Sequence, residues 1–373
     1  LTAAEQEVVA ASNSFAFDLF RELSSEQPDS NVFISPLSAS MALGMTLNGA
    51  RGETFDAMRS TLGFDGLSQS EINASYRSLI DLLRGLDPKV EMLIGNSIWY
   101  RDTFPFEQAF FDTTETYFDA EVAGLDFTDP ASVDVINAWV NESTEGKIED
   151  IVEAPLPPDV VMYLINAIYF KGDWTDQFSK DRTHDAPFTT SDGGTVTVKL
   201  MHRPEAELQH VATAEYEAVD LSYGRGAFAM TVVLPAPDGN VNDLIRTLDA
   251  ESWSEIANAF EERTLDLYLP RFRLEYEKSF NDALEALGMG IAFGPEQDFT
   301  GMSPANPFIS EVFQKTYVNV NEEGTTAAAV TKVSMNESAP PSFRADRPFI
   351  FAIRERFSGA ILFIGKMEEP PAG

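Results

Sequence analysis

Gly324-Thr325-Thr326-Ala327-Ala328-Ala329-Val330-Thr331-Lys332-Val333-Ser334-Met335-Asn336-Glu337-Ser338-Ala339-Pro340-Pro341 lies between two strand-like runs, Val312 to Val320 and one that opens at Phe349. Read at period two, one face of this stretch is Thr325, Ala327, Ala329, Thr331, Val333 and Met335, and the other is Thr326, Ala328, Val330, Lys332, Ser334 and Asn336. The first face is small or apolar and the second carries the charge, the pattern of a strand buried on one side. A strand here needs a sheet that can receive it, and Gly324 supplies the φ freedom of a hinge. The same residues also fit an ordinary edge strand that ends in a proline turn.

Outward from this segment the chain shows no internal repeat, low-complexity tract or linker, and reads as one unit over residues 1–373. Val8, Phe15, Leu19, Phe20 and Leu23 give a helical pattern near 4–24, ended by polar residues and Pro28. After Ser35-Pro36, Leu37 to Leu47 is apolar almost all round, the signature of a buried helix with proline in its first turn. Further helices are expected near 53–62, 69–85, 106–116, 131–142 and 279–287. Strands are expected at 91–100, 160–170, 228–235, 265–275, 312–320, 349–354 and 360–366, where β-branched and aromatic residues sit between turn signals. Helices early and strands late argue an α+β fold and against a nucleotide-binding doubly wound sheet.

Composition excludes several functions. With 26 basic and 60 acidic side chains the net charge is −34, so a phosphate backbone or an anionic membrane surface would be repelled. The absence of cysteine removes disulfides, thiolate nucleophiles and cysteine-ligated metals together. No apolar run is long enough to span a membrane. An acidic surface with lysine at nine positions stays hydrated when salt screens charge, which suits a prokaryotic protein from a saline habitat as well as an ordinary acidic one. The opening Leu1-Thr2-Ala3-Ala4-Glu5 is neither a start methionine nor a signal core; a removed upstream segment is allowed for, and a secreted or periplasmic location is favoured slightly over a cytoplasmic one.

Catalytic signals are missing. His184, His202 and His210 are the three histidines, each in a polar stretch without a partner motif, and are expected to be solvated surface residues. No nucleophile elbow, zinc-protease motif or phosphate loop occurs. Pairs such as Glu322-Glu323 and Glu368-Glu369 arise by chance among 60 acids and carry no weight as acid/base dyads. No metal site or cofactor is expected.

Five separated motifs in order give the chain a family resemblance. Asn31-Val32-Phe33-Ile34-Ser35-Pro36-Leu37-Ser38, Leu164 to Trp174 (LINAIYFKGDW), Glu322 to Ala329 (EEGTTAAA), Asp346-Arg347-Pro348-Phe349 and Phe363-Ile364-Gly365-Lys366 resemble the signatures of the serpins, the serine protease inhibitor superfamily. The resemblance implies three β-sheets with about eight or nine helices, and a reactive loop at about 322–343 that is exposed as protease bait. Cleavage of that loop then lets it insert as a new strand of a central sheet, dragging the acylated protease along. It makes Glu322, Gly324, Thr325, Thr326, Ala327, Ala328 and Ala329 the hinge. Ser35, Ser38 and Asn166 become a polar shutter beneath the sheet, with Gln314 where the family usually has histidine. Trp174 becomes the residue where the loop first enters, and Glu322 is expected to pair with Arg271.

Small residues at the start of the inserting face, and no proline before Pro340, favour a working inhibitor over a non-inhibitory relative. The expected partner is a serine protease met by a monomer. Counting back from Pro340-Pro341 puts the scissile bond at Glu337-Ser338, for a glutamate-preferring protease. Ser338-Ala339 and the bond after Met335 are the alternatives, for elastase-, chymotrypsin- or subtilisin-like enzymes.

Overall fold

The computed structural model describes residues 1–324 and 341–371. Helix α1 (Ala3–Glu26) starts at Thr2, whose hydroxyl accepts from the Glu5 amide while Glu5 accepts from the Thr2 amide, a reciprocal cap that satisfies two free N–H groups. Its apolar stripe, including Phe15, Leu19, Phe20 and Leu23, is buried. Helix α2 (Pro36–Leu47) is capped by Ser35, carries proline in its first turn and is buried nearly all round, so it runs through the centre of the molecule. Helices α3 (Gly52–Thr61), α4 (Gln69–Gly85), α5 (Gln108–Phe118) and α6 (Ala131–Ser143) follow in the first half.

Three sheets form among the described residues. One joins β3 (Ala120–Leu125), β2 (Val90–Arg101) and β4 (Met162–Gly172); a second pairs β10 (Phe272–Ser279) with β11 (Phe313–Val320). The largest runs β1 (Val32–Ile34), β14 (Ile361–Met367), β13 (Phe349–Glu355), β8 (Phe228–Pro235), β7 (Tyr216–Tyr223), β6 (Thr195–Ala212), β9 (Glu261–Pro270) and β12 (Ser342–Arg344), with β5 (His184–Thr189) also on β6. Every residue of β8, β13 and β14 is buried, which is why these strands read as continuous apolar runs. Phe33 of β1 stacks between Phe351 and Phe363 at 5.5 and 5.4 Å. A separate apolar cluster of Trp99, Phe127, Ile136, Val140 and Ile165 seats α6 on the three-stranded sheet.

The architecture is α+β, with nine helices among the described residues once α7 (Val241–Thr247), α8 (Ala250–Asn258) and α9 (Asn281–Leu284) are included. The structure corrects the sequence reading at several places. The single strand expected at 265–275 is two, β9 and β10, broken at Arg271 after Pro270, where proline cannot continue a ladder. The helix expected at 279–287 is α for four residues and then widens to a π turn with Gly288 at φ 106°. Strands β5, β6 and β7 lie outside the expected strands, β5 and β6 because they are polar and half-exposed and β7 because Glu217, Asp220 and Ser222 interrupt its apolar residues, and His202 lies packed within β6 rather than solvated. At the far end of the stretch expected as a loop, about 322–343, Ser342 and Phe343 belong to β12, with Phe343 fully buried.

One buried acid has a consequence for stability. Glu368 is 5% exposed and neither of its carboxylate oxygens meets a hydrogen-bond partner. The nearby Lys366 ammonium is taken up by Gln27 O, Pro28 O and Asn242 Oδ1 at 2.8–3.0 Å. Burial pushes the Glu368 carboxyl up, against the pull of the Lys366 charge. The folded protein therefore holds this proton to higher pH than the unfolded chain, and stability falls as pH rises from about 4.5 through the raised value. Glu368→Gln is expected to stabilise the protein at pH 7 by about 1–2 kcal/mol and to flatten that decline, read from urea midpoints at pH 5 and pH 7.

Candidate functional site

Strands β4 and β11 face one another across the middle of the molecule, and no ladder joins them among the described residues. A cavity of about 410 Å³ is lined by Leu164 and Asn166 of β4, Phe313 and Gln314 of β11, and Ser38 and Ala42 of α2. A second, of about 240 Å³, is lined by Tyr169 and Gly172 of β4, Tyr317 and Asn319 of β11, Trp174 and Gly324. The early residues of both strands share one cavity and the late residues share the other, so β4 and β11 run in the same direction.

Ser35, Ser38, Asn166 and Gln314 meet beneath this gap, in two groups. On the β11 side Gln314 and Ser35 exchange a pair of bonds: Ser35 N–H donates to Gln314 Oε1 at 2.8 Å and Gln314 Nε2 donates to Ser35 O at 2.8 Å. The Ser35 hydroxyl donates to Leu362 O at 2.7 Å, which ties the start of α2 to the large sheet. On the β4 side Asn166 Nδ2 donates to Asn96 Oδ1 at 2.5 Å, and Asn96 Nδ2 donates to Phe118 O at 2.6 Å. Ser38 links the two, its hydroxyl donating to Asn166 O at 3.2 Å. Asn166 Oδ1 is buried with no partner. Gln314 does not titrate, so its two bonds hold unchanged through the pH range in which a histidine there would switch. Asn96 was not singled out in the sequence; its only signal was a polar residue inside an apolar strand.

At the far end of the gap the chain leaving β11 turns sharply. Gly324 N–H donates to Asn321 O at 3.3 Å and Gly324 sits at φ +66°. This turn is fastened to the segment after β4. Trp174 Nε1 donates to Asn321 O at 2.9 Å, Phe178 N to Glu322 O at 2.9 Å, Trp174 N to Glu323 O at 3.2 Å and Gln177 Nε2 to Glu323 O at 3.0 Å. Trp174 is itself buried against Tyr223, ring centroids 4.3 Å apart and nearly parallel. Tyr223 is fully buried, which holds its phenol protonated well beyond the usual range.

Glu322 and Arg271 come together as expected from the sequence, at 3.7 Å, but the stronger partner is one that reading missed. The Thr183 hydroxyl donates to Glu322 Oε1 at 2.7 Å. Glu322 is 3% exposed, so both partners matter to a carboxylate removed from water. Glu323 pairs with Lys180 at the surface. Thr325, Thr326, Ala327, Ala328, Ala329, Met335, Glu337, Ser338 and Ala339 lie outside the described residues.

With this geometry in place, comparison with known proteins settles the family. The family model described as Serpin (serine protease inhibitor) matches residues 10–370. The chain is a serpin. It is 35% identical to pig (Sus scrofa) leukocyte elastase inhibitor over 98% of its own length and 100% of that protein, and 31% identical to human neuroserpin over 95% and 89%. Among solved structures, the native state of the thermophilic serpin tengpin superposes with a TM-score of 0.87 at 32% identity, covering 97% of this chain and 94% of the other. Human thyroxine-binding globulin gives 0.89 at 28% identity, covering 99% and 100%. Serpins are protease inhibitors rather than enzymes, and the three-sheet fold of this serpin is the one its neighbours share.

Gly324 cannot carry a side chain. A Cβ there would lie 2.2 Å from Trp174 N and 2.7 Å from Gly172 O, in a backbone conformation that L-residues avoid. Gly324→Ala is expected to lower stability by at least about 2 kcal/mol and to loosen Trp174, seen as a lower thermal midpoint and a red-shifted tryptophan emission; an unchanged midpoint would mean that this turn does not form in solution.

Proposed function

We propose that this serpin is a suicide-substrate inhibitor of a serine protease, acting as a monomer through a loop that begins at the Asn321–Gly324 turn. The observation that carries the reading is the gap between β4 and β11, two strands that run the same way with no ladder joining them among the described residues. Because β4 and β11 run the same way, a strand that entered between them from Gly324, which lies beside Gly172 and Trp174, would run antiparallel to both. It can then pair with β4 on one side and β11 on the other. The period-two pattern of Thr325, Ala327 and Ala329 supports the same reading, since small side chains pass between strands that part only slightly. Relatives with inhibitory names, leukocyte elastase inhibitor among them, agree with it.

In the proposed reaction the protease serine oxygen attacks the carbonyl carbon of Glu337, and the Glu337–Ser338 C–N bond breaks. The proton lost by the serine goes to the amine of Ser338, which leaves as a new N-terminus, and Glu337 remains as an ester on the enzyme. Insertion of residues from Thr325 onward then carries that ester away before water can attack it. Ser338-Ala339 and the bond after Met335 are the alternative cleavage sites, each with its own protease class: glutamate-preferring for Glu337, elastase-, chymotrypsin- or subtilisin-like for the others.

The test is a panel of serine proteases read on a denaturing gel, with mass spectrometry of the released C-terminal peptide. A band resistant to SDS is expected with at least one protease. Its absence across the panel, with the loop cut, would favour a substrate-like or chaperone-like serpin. The inserting face is tested by Thr325→Arg, which puts a guanidinium where the first side chain must be buried, against Thr326→Arg on the opposite face. Thr325→Arg is expected to raise the number of serpin molecules consumed per protease trapped at least about tenfold, and Thr326→Arg far less; equal effects would refute the assigned face.

A further inference from the structure

The cavity of about 410 Å³ at the foot of the gap between β4 and β11 has an apolar wall and an acidic rim. Leu43 of α2, Ile165 of β4, Phe280, Phe299 and Met302 line it and are buried. Two further stretches, 157–163 and 307–313, complete it. Of the five large apolar side chains exposed among the described residues, two belong to this lining: Phe308 at 47% and Phe313 at 38%. Exposed aromatic rings around an apolar hollow are the mark of a surface that takes up an apolar body.

Charge at this cavity has one sign. Among the described residues that line it, the charged ones are Asp159 and Glu311, both exposed, with no lysine, arginine or histidine. They come from different segments yet converge on one ring: burial first, then Glu311 and Asp159, push the Tyr163 phenol up, against a smaller pull from Arg101. The basic groups that flank these segments are engaged elsewhere. Arg101 Nη2 donates to Pro158 O at 3.0 Å and Val160 O at 2.8 Å, with its guanidinium over the Phe127 ring, and Lys315 Nζ pairs with Asp150 at 2.9 Å.

We propose that the foot of the gap is a binding site for a small organic cation, an ammonium group on an aromatic body, with the body in the cavity and the charge beside Asp159, Glu311 and the Tyr163 ring. This deepens the inhibitory reading by naming a regulator of the same gap, and rests on that reading only for the effect on protease trapping.

Each part of the ligand answers one part of the site. A volume near 410 Å³ lies at the small end of the range for ligand pockets, which suits a body of about one bicyclic ring. An anion would meet two carboxylates on a molecule of net charge −34, and a neutral molecule would forgo them. An ammonium group gains both carboxylates and the electron-rich face of Tyr163. Because both acids are exposed, the preference is modest and is screened by salt. Pairing residue for residue backward from Gly324 beside Gly172, an inserting chain reaches Asn166 at about residue 330 and Leu164 at about residue 332. An occupied cavity therefore leaves the entry of Thr325 to Ala329 open and obstructs the later part of insertion, which gives water more time to hydrolyse the ester.

The experiment titrates the full, uncleaved chain by calorimetry with three probes that share one body: 2-(2-naphthyl)ethylammonium, 2-(2-naphthyl)ethanol and 2-naphthylacetate. The ammonium is expected to bind one to one and about three- to tenfold more tightly than the alcohol at low salt, with the carboxylate weakest, and its lead over the alcohol is expected to shrink at about 0.5 M salt. Asp159→Asn with Glu311→Gln is expected to bring the ammonium down to the alcohol and to leave the alcohol unchanged. Glu215→Gln with Asp238→Asn, two exposed acids that do not line the cavity, is expected to change neither. Ala42→Phe, which fills the cavity from α2, is expected to abolish binding of both. Absence of ammonium binding, equal binding of the three probes at low salt, or equal losses from the two acid pairs overturns the proposal, the last by showing attraction to the net charge alone. Binding retained in a folded Ala42→Phe protein overturns it too; if that variant does not fold, the two acid pairs decide. Protease trapping runs in parallel, and the number of serpin molecules consumed per protease trapped is expected to rise with the same concentration dependence as ammonium binding. An unmoved number at saturation refutes the obstruction of insertion. Binding without trapping by any protease leaves the site standing and removes the inhibitory reading, whereas trapping without binding does the reverse.

Discussion

The contact on which the rest of this molecule turns is between two pieces of backbone: Gly324, at φ +66°, packs against Gly172, Asp173 and Trp174 so closely that a single methyl group would overlap main-chain atoms. It joins the end of β11 to the end of β4, strands that otherwise share no hydrogen bonds among the described residues. Two strands running the same way with unpaired facing edges are an unstable arrangement unless something manages those edges. Here the management is at the ends, by the turn at Asn321–Gly324 above and by the hydrogen-bonded side chains of Ser35, Ser38, Asn96, Asn166 and Gln314 below.

The polar groups at these two ends differ in kind. The lower cluster is neutral, built from two serines, two asparagines and Gln314, so its geometry is indifferent to pH and salt. The upper end is charged, with Glu322 buried against Thr183 and Arg271 and Glu323 paired at the surface with Lys180. Exchange of amide partners within such a neutral cluster leaves no isolated charge in a low-dielectric interior. The charged end serves as a fixed point, because moving Glu322 would leave a buried carboxylate without its donors.

The large sheet supplies the rigid body against which these parts work. Its central strands are buried on both faces, Phe33 is locked between two phenylalanines, and Arg354 pairs with Asp220 at 3.0 Å inside it. Its far edge is different: β12 is three residues long and parallel to its single neighbour.

Much was legible in the sequence. The buried helix after Ser35-Pro36, the apolar runs of β8, β13 and β14, and the α+β class follow from periodicity and from proline and glycine placement, local properties that each segment carries alone. Ser35, Ser38, Asn166, Gln314, Trp174, Glu322, Gly324 and Arg271 were found through motif resemblance, and the structure places all of them around the two ends of one gap. The sequence did not reveal β5 to β7, whose interspersed polar residues leave no strong period, nor Asn96, Thr183 and the partners of His202. Those depend on contacts between residues far apart in the chain, such as Thr183 with Glu322 or His202 with Tyr268 and Arg344. Segment chemistry determined which residues could form strands and caps; only the tertiary structure decided that β4 and β11 stand side by side with unpaired edges, because that depends on how separate sheets pack on α2 and not on any pattern within either strand.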